Sequence, residues 1–275
     1  MKKILVPTDF SACANYAFEA AILLAKHLNA EIILCHNLYC LNESNYSFET
    51  ACLELKGDRL QELENINVLM QSWTDRSEGL VKKVVYLGNY LVDALNILIN
   101  KEEVELVVIG SHGKSGKNEY FMGSNAQKIV RAVHCNTLVI KEPLKELKFK
   151  DVVFASNFGQ QNKAVFLRFL DFIQSFSPKV HVVYINTDPF WGLPYSIIQQ
   201  EMEEYRNLCK DLACKTHYYR DFTVERGVRH ISDELDADLI AISNQQRHPI
   251  KRILMGSNVE FLVNHADIPL LSLDK

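Results

Sequence analysis

Gly110, Gly113, Gly123 and Ser124 stand in the pattern G-x2-G-x9-G-S, directly after the strand-like run Val104 to Ile109. A glycine-rich turn that leaves a buried strand and enters a helix can close backbone N–H groups around phosphate oxygens. Gly110 and Gly113 would let the backbone approach a ligand or take up positive φ, which residues with a Cβ resist. Gly123 would open the next helix, so that the N–H groups of Ser124, Asn125 and Ala126 and the Ser124 hydroxyl form an anion site. Lys114 and Lys117 in the intervening loop could fold over a phosphate tail. At the end of the first strand, Pro7-Thr8-Asp9-Phe10 supplies a carboxylate suited to ribose hydroxyls or an adenine amino group. Two glycines after a strand also serve as a plain turn, and His112 suits either a ligand contact or a solvated loop.

These residues need elements to hold them, and the chain writes those elements twice. Lys3-Ile4-Leu5-Val6-Pro7-Thr8-Asp9-Phe10 aligns with Asp151-Val152-Val153-Phe154-Ala155-Ser156-Asn157-Phe158. Glu105 to Ile109 aligns with Asp238 to Ile242, and Gly123-Ser124-Asn125 recurs as Gly256-Ser257-Asn258. The charged stretch Lys141 to Lys148, with Pro143, reads as the linker, giving domains at 1–143 and 148–275.

In the first copy, strands are expected at Ile4 to Val6, Glu31 to Cys35, Val81 to Leu87, Leu106 to Ile109 and Thr137 to Ile140. Between them lie a helix capped by Ser11 with Ala14, Ala17, Phe18, Ala21, Leu24, Ala25 and Leu28 on one face, and a long, charge-rich helical region from about Phe48 to Trp73. Helices over Leu91 to Ile99 and after Gly123 complete the unit. The second copy repeats the plan, with strands near Val152, Val180, Thr216, Leu239 and Leu270. Alternating β and α elements imply an open parallel sheet with helices on both faces, and ligands in such a sheet bind beyond the carboxyl ends of the strands.

Composition narrows the classes. The 275 residues are 48% hydrophobic and 23% charged, which suits a globular chain with a real core. A net charge of −4 gives no basic stripe for nucleic acid. Only Ile4-Leu5-Val6 follows Met1-Lys2-Lys3 before Pro7, too short for a secretory signal, and no run approaches a membrane span, so a cytoplasmic protein with no membrane partner is expected. Seven cysteines at irregular spacing read as reduced thiols in the core; the Cys35–Cys40 and Cys209–Cys214 spacings, with His36 near the first, could ligate metal, but no metal site is assigned. Gly113-Lys114-Ser115 mimics the end of a phosphate loop whose earlier glycine would fall on Val108, and no G-x-G-x-x-G follows the first strand. With Asp9 read as the crevice's single carboxylate and no evident nucleophile–base pair, no catalytic residue is assigned.

The sequence resembles the universal stress protein family in its tandem two-domain form, over almost its whole length. The likeness lies in the opening Lys-Lys-Ile-Leu-Val-Pro-Thr-Asp-Phe-Ser, in Leu-Val-Val-Ile-Gly-Ser-His-Gly-Lys-Ser-Gly, in Met122-Gly123-Ser124 and in Cys135-Asn136-Thr137-Leu138-Val139-Ile140, where the family usually has Cys-Pro-Val-Leu-Val-Val. The resemblance implies two five-stranded sheets of order 3-2-1-4-5 with the adenine nucleotide alpha hydrolase-like fold. It implies ATP, with or without Mg, in the first domain, held by Pro7, Thr8, Asp9, Asn37, Gly110, His112, Gly113, Gly123, Ser124 and Asn125. In that picture Asp9 lies near the nucleoside, Asn37 offers backbone contacts to adenine, and the Gly123-Ser124-Asn125 turn holds phosphate. It further implies a stress-response or regulatory binder, pairing of the last strands (Thr137 to Ile140, Leu270 to Leu273) within one chain, and a homodimer of tandem chains.

The second copy departs from the family pattern: Asn157 replaces Asp9, Ser243 replaces Gly110 and Gln246 replaces Gly113. One nucleotide site per chain is therefore expected, in the first domain. Arg247, His248, Lys251 and Arg252 suit a second anion or a solvated basic face. An interaction scaffold without nucleotide, or a slow ATPase, remain the alternative functions.

Overall fold

Val6, Leu34 and Val108 are all fully buried, as strands covered by helices on both faces must be. The computed structural model describes residues 2–274 except 40, 42–44, 89, 113–121, 160–161, 188–193 and 244–267. The chain divides into two units, 1–147 and 148–275.

The first unit runs β1 (Lys3–Pro7), α1 (Ala12–Leu28), β2 (Glu31–Asn37), β3 (Asn45–Tyr46), α2 (Phe48–Glu54), α3 (Asp58–Arg76), β4 (Val81–Leu87), α4 (Leu91–Glu102), β5 (Leu106–Gly110), α5 (Ser124–Ala132) and β6 (Asn136–Ile140). Its sheet order is β3-β4-β2-β1-β5-β6. Counting only the parallel strands, this is the 3-2-1-4-5 order. The winding reverses at β1, which pairs with β2 on one side and β5 on the other. The short β3 is an addition that periodicity could not show: two residues lie antiparallel on the end of β4, opposite Leu87 and Tyr86.

Ser11 caps α1 as expected, accepting the Ala14 N–H. The buried face of α1 includes Ala14, Ala17, Phe18, Ala21, Leu24 and Ala25, while Leu28 is only half-buried. The helical region expected from about Phe48 to Trp73 is divided between two helices. α2 stops at Glu54, and Gly57, with φ 58° and ψ −136°, holds a conformation open essentially to glycine alone before α3 begins. The periodicity carried through because both helices keep one apolar face, and Gly57 alone signalled the break.

The second unit runs β7 (Asp151–Ala155), α6 (Lys163–Ile173), β8 (Lys179–Asn186), α7 (Tyr195–Leu208), β9 (Cys214–Arg220), α8 (Val224–Glu234), β10 (Leu239–Ser243) and β11 (Leu270–Leu273). Its order is β11-β10-β7-β8-β9, the same plan. Gly256-Ser257-Asn258, Gln246 and the Arg247, His248, Lys251 and Arg252 cluster lie outside the described residues. Among the described residues no helix is long and apolar enough to cross a membrane.

One buried polar row in this unit sets a pH dependence. His181 is fully buried; its Nε2 lies 2.8 Å from Asp151 Oδ1 and its Nδ1 2.9 Å from His217 Nε2. With His181 Nε2–H donating to the carboxylate, its Nδ1 lone pair accepts from His217 Nε2–H. Burial, followed by the charges of His181, Lys215 and Lys179, holds the His217 imidazole below its usual 6.5. A depressed histidine gives stability that is complete above 6.5 and is lost as pH falls through the lower folded value. His181 bonding holds the Asp151 carboxyl low as well, so its contribution is lost only at stronger acidity. Thermal melts should therefore show the melting temperature falling by a few degrees between neutral and mildly acidic pH. His217→Gln, whose amide can still donate to His181, should flatten that fall; an unchanged slope would exclude His217 as its source.

Candidate functional site

At the carboxyl end of β1 the chain makes a tight turn. Thr8 Oγ1 accepts the Phe10 N–H at 2.9 Å and Asp9 Oδ1 accepts the Ser11 N–H at 3.0 Å. The turn forces Phe10 to φ 61°, costly for a residue with a bulky Cβ. Packing offsets that cost: the Phe10 ring stacks on His36 at 5.1 Å and meets the edge of Trp73 at 5.4 Å. His36 Nδ1 lies 2.7 Å from the Thr8 carbonyl, which places its proton on Nδ1 when neutral. The second unit repeats this turn. Ser156 Oγ accepts the Phe158 N–H at 3.1 Å, and Phe158 has φ 56°.

Across the switch point, β5 ends in Gly110. A Cβ there would lie 2.5 Å from the Cys13 carbonyl carbon and oxygen and 2.8 Å from Ala14 N. Gly110 is thus required by the backbone of α1's first turn, and its φ is not positive, which corrects that part of the first expectation. Ser11 ties the same corner together: its hydroxyl accepts the Ala14 N–H and donates to the His112 carbonyl at 3.3 Å. Ser111 is fully buried and donates its N–H to Ile140 O, while Gly123 donates its N–H to Ser111 O at 2.8 Å.

With its own N–H so used, Gly123 is the N-cap of α5, and among the described residues no side chain caps that helix. The N–H groups of Ser124, Asn125 and Ala126 then have no intrahelical acceptor, and the helix dipole adds partial positive charge.

These ends enclose a cleft of about 510 Å³. Pro7, Thr8, Asp9, Asn37, Gly110, His112, Gly123, Ser124 and Asn125 all line it. Gly113, Lys114 and Lys117 lie outside the described residues. Leu38, Leu87, Leu91 and Ile129 give the cleft an apolar wall, and Tyr39 stands at its mouth, 70% exposed. Asn37 orients its amide by donating Nδ2–H to Leu87 O at 3.1 Å. Glu62 also lines the cleft, so Asp9 is not the crevice's single carboxylate. Sequence reasoning missed Glu62 because it lies near the start of α3 with nothing local to mark it; only the tertiary fold brings it to the cleft.

The described lining offers groups suited to binding. Burial pushes the Cys35 thiol far up, making it a neutral wall group. A serine–histidine contact does exist, Ser111 Oγ to His112 Nδ1 at 2.7 Å, unlike the sequence expectation. Ser111 is fully buried and is not a lining residue, so it presents no nucleophile to the cleft. Among the described residues no group of three or more His, Cys, Asp or Glu side chains is arranged to hold a metal.

The second unit is built differently at the same place. Ser243 stands where Gly110 does, and α6 begins at Lys163, five residues after Phe158, whereas α1 begins at Ala12, two residues after Phe10. The Asn157 side chain, in the place of Asp9, accepts from Asn162 Nδ2 at 2.5 Å. Tyr205 donates to the Gly159 carbonyl at 3.0 Å and packs its ring on Phe158 at 4.8 Å.

Tandem doubly wound α/β units, the first with a ligand cleft between a strand-end carboxylate and an uncapped helix start, define the class of protein. A family model described as the universal stress protein family matches residues 1–141 and again 148–273. The chain belongs to the universal stress protein family, in a tandem arrangement. It is 29% identical over 157 residues to universal stress protein MJ0531 of Methanocaldococcus jannaschii, a match covering 53% of this chain and 85% of that one. Universal stress protein MJ0577 of the same organism is 27% identical over 153 residues, covering 51% and 94%. A crystal structure of a universal stress protein from Archaeoglobus fulgidus superposes with a TM-score of 0.74 at 16% identity, covering 99% of this chain and 96% of that chain. A putative universal stress protein from Pseudomonas aeruginosa gives 0.61 at 15% identity, covering 100% and 93%. Both share the α/β fold.

Proposed function

We propose that this chain binds an adenine nucleotide, ATP in the first instance, in its first unit only, and acts as a regulatory or stress-response protein whose occupancy alters its shape or partners. One observation carries the reading: the cleft at the switch point sets Asp9 opposite the uncapped start of α5, with an apolar wall between. The base would lie against Leu38, Leu87 and Leu91, the ribose hydroxyls would donate to Asp9, and the phosphates would accept from Ser124, Asn125 and Ala126. The volume suits a ligand of this size. A Mg ion accompanying the nucleotide would be carried in on its phosphates.

Ser243 and the Asn157–Asn162 bond support a second unit without a nucleotide site. The buried position of Ser111 supports binding rather than turnover. The reading includes a cytoplasmic location and a homodimer of tandem chains, which native mass spectrometry would weigh.

Equilibrium binding of labelled ATP tests the central claim. One saturable site per chain is expected. Asp9→Asn should weaken it about tenfold, the scale of one hydrogen bond to a charged group. Asn157→Ala should leave the affinity unchanged. No saturable binding would favour a scaffold that takes no nucleotide.

A further inference from the structure

Cys209 and Cys214 bracket the turn between α7 and β9. Cys209 is the C-cap of α7 and Cys214 the first residue of β9. The turn is tight: Lys210 takes φ 49° and the Leu212 N–H donates to the Cys209 carbonyl at 3.0 Å. Both ends are anchored. The Cys209 N–H donates to Arg206 O, and Cys214 sits in register with Val180 of β8. The two sulfurs are thereby held 2.8 Å apart, within reach of a disulfide after an approach of roughly 0.8 Å. Of the other described cysteines, Cys35 and Cys135 are buried, as Cys209 is, Cys13 bonds Lys141 O, and Cys52 is half-buried on α2.

The pair can be reached. Cys209 lines a cleft of about 760 Å³ at the amino ends of the second unit's strands, together with Lys150, Lys179 and Lys210 and the carboxylates Asp171 and Asp211. Cys214 is half-buried. Two thiols supply too few donors for a structural metal centre, and no third ligand accompanies them among the described residues.

We propose that Cys209 and Cys214 form a dithiol modification site that two-electron oxidants of the hydroperoxide class convert to an intramolecular disulfide. The hydrogen bond between the sulfurs holds the Cys209 thiol below its usual value, while the shared proton stays on Cys214. The Cys209 thiolate attacks one peroxide oxygen; the O–O bond breaks, and the departing oxygen takes up a proton to leave as water. Cys209 is then a sulfenic acid. The Cys214 sulfur attacks the Cys209 sulfur, the S–O bond breaks, and the hydroxyl leaves as a second water with the Cys214 proton. Two electrons pass from the sulfurs to the peroxide, and reduction by an external thiol reverses the change. The product would lock the end of α7 to the start of β9.

The sequence supplies a direct readout. Trypsin cleaves after Arg206, Lys210 and Lys215, so the peptides Asn207–Lys210 and Asp211–Lys215 stay joined only through a 209–214 disulfide. The full chain is treated with hydrogen peroxide, its free thiols are alkylated, and the digest is weighed. A joined peptide lighter than the sum by two hydrogens, split by dithiothreitol and formed before oxidation of any other cysteine, is expected. It should form at least about tenfold faster in the folded chain than in urea, because the fold supplies the proximity. Cys214→Ser should instead leave Cys209 as a sulfenic acid that dimedone traps. Both thiols alkylated after full peroxide treatment, or equal rates of joining in folded and unfolded chain, would overturn the proposal.

Discussion

Gly123→Asp should bind ATP at least about thirtyfold more weakly while the protein becomes no less stable. At φ −62° and ψ 149° the backbone conformation is open to any L residue, and aspartate is among the best N-caps. Its carboxylate would accept the N–H groups that a phosphate needs and place negative charge where phosphate would sit. Two anions competing for one helix start cost about 2 kcal/mol or more, which sets the affinity change. Calorimetric titration paired with a thermal melt separates binding from folding. Undiminished affinity would mean that the phosphates lie elsewhere. A Gly123→Ala control lacks both the charge and the cap, so its affinity should stay within a few-fold of the parent.

Gly110→Ala should cost about 3 kcal/mol of stability, at the upper end of ordinary overpacking. The atoms a Cβ would strike, Cys13 C and O at 2.5 Å and Ala14 N at 2.8 Å, belong to backbone and cannot rotate away. Relief requires moving the first turn of α1, and with it the Ser11 bonds to Ala14 and His112. Urea denaturation should show the loss in the transition of the first unit. Ser243→Ala, at the matching position, removes a buried hydroxyl that has no hydrogen-bond partner among the described residues and should be neutral or stabilising. A Gly110→Ala chain as stable as the parent would show that α1 shifts at little cost.

The central strands of both units were legible in the sequence because each is a short run of branched apolar residues between turns, such as Leu106 to Ile109 and Leu239 to Ile242. The repeat strengthened them, since a pattern met twice is hard to produce by chance. The break at Gly57 and the strand at Asn45–Tyr46 were not legible: one depends on a single backbone angle, the other on pairing with β4. At the cleft, Asp9, Gly110 and Gly123 could be singled out because each stands at the end of a recognisable element. Glu62, Tyr39 and Leu91 could not, since nothing local marks them and their convergence follows from strand order. The reason for Gly110 was also hidden, because its neighbour in space, Cys13, lies far away in sequence.

The strained phenylalanine corner occurs at both Phe10 and Phe158, beside an aspartate in one unit and an asparagine in the other. It therefore belongs to the architecture the copies share, not to whatever ligand the first copy holds. The chain carries its own internal reference: a folding penalty seen on replacing either phenylalanine with glycine or alanine reports the scaffold, and a response unique to Phe10 reports the occupant.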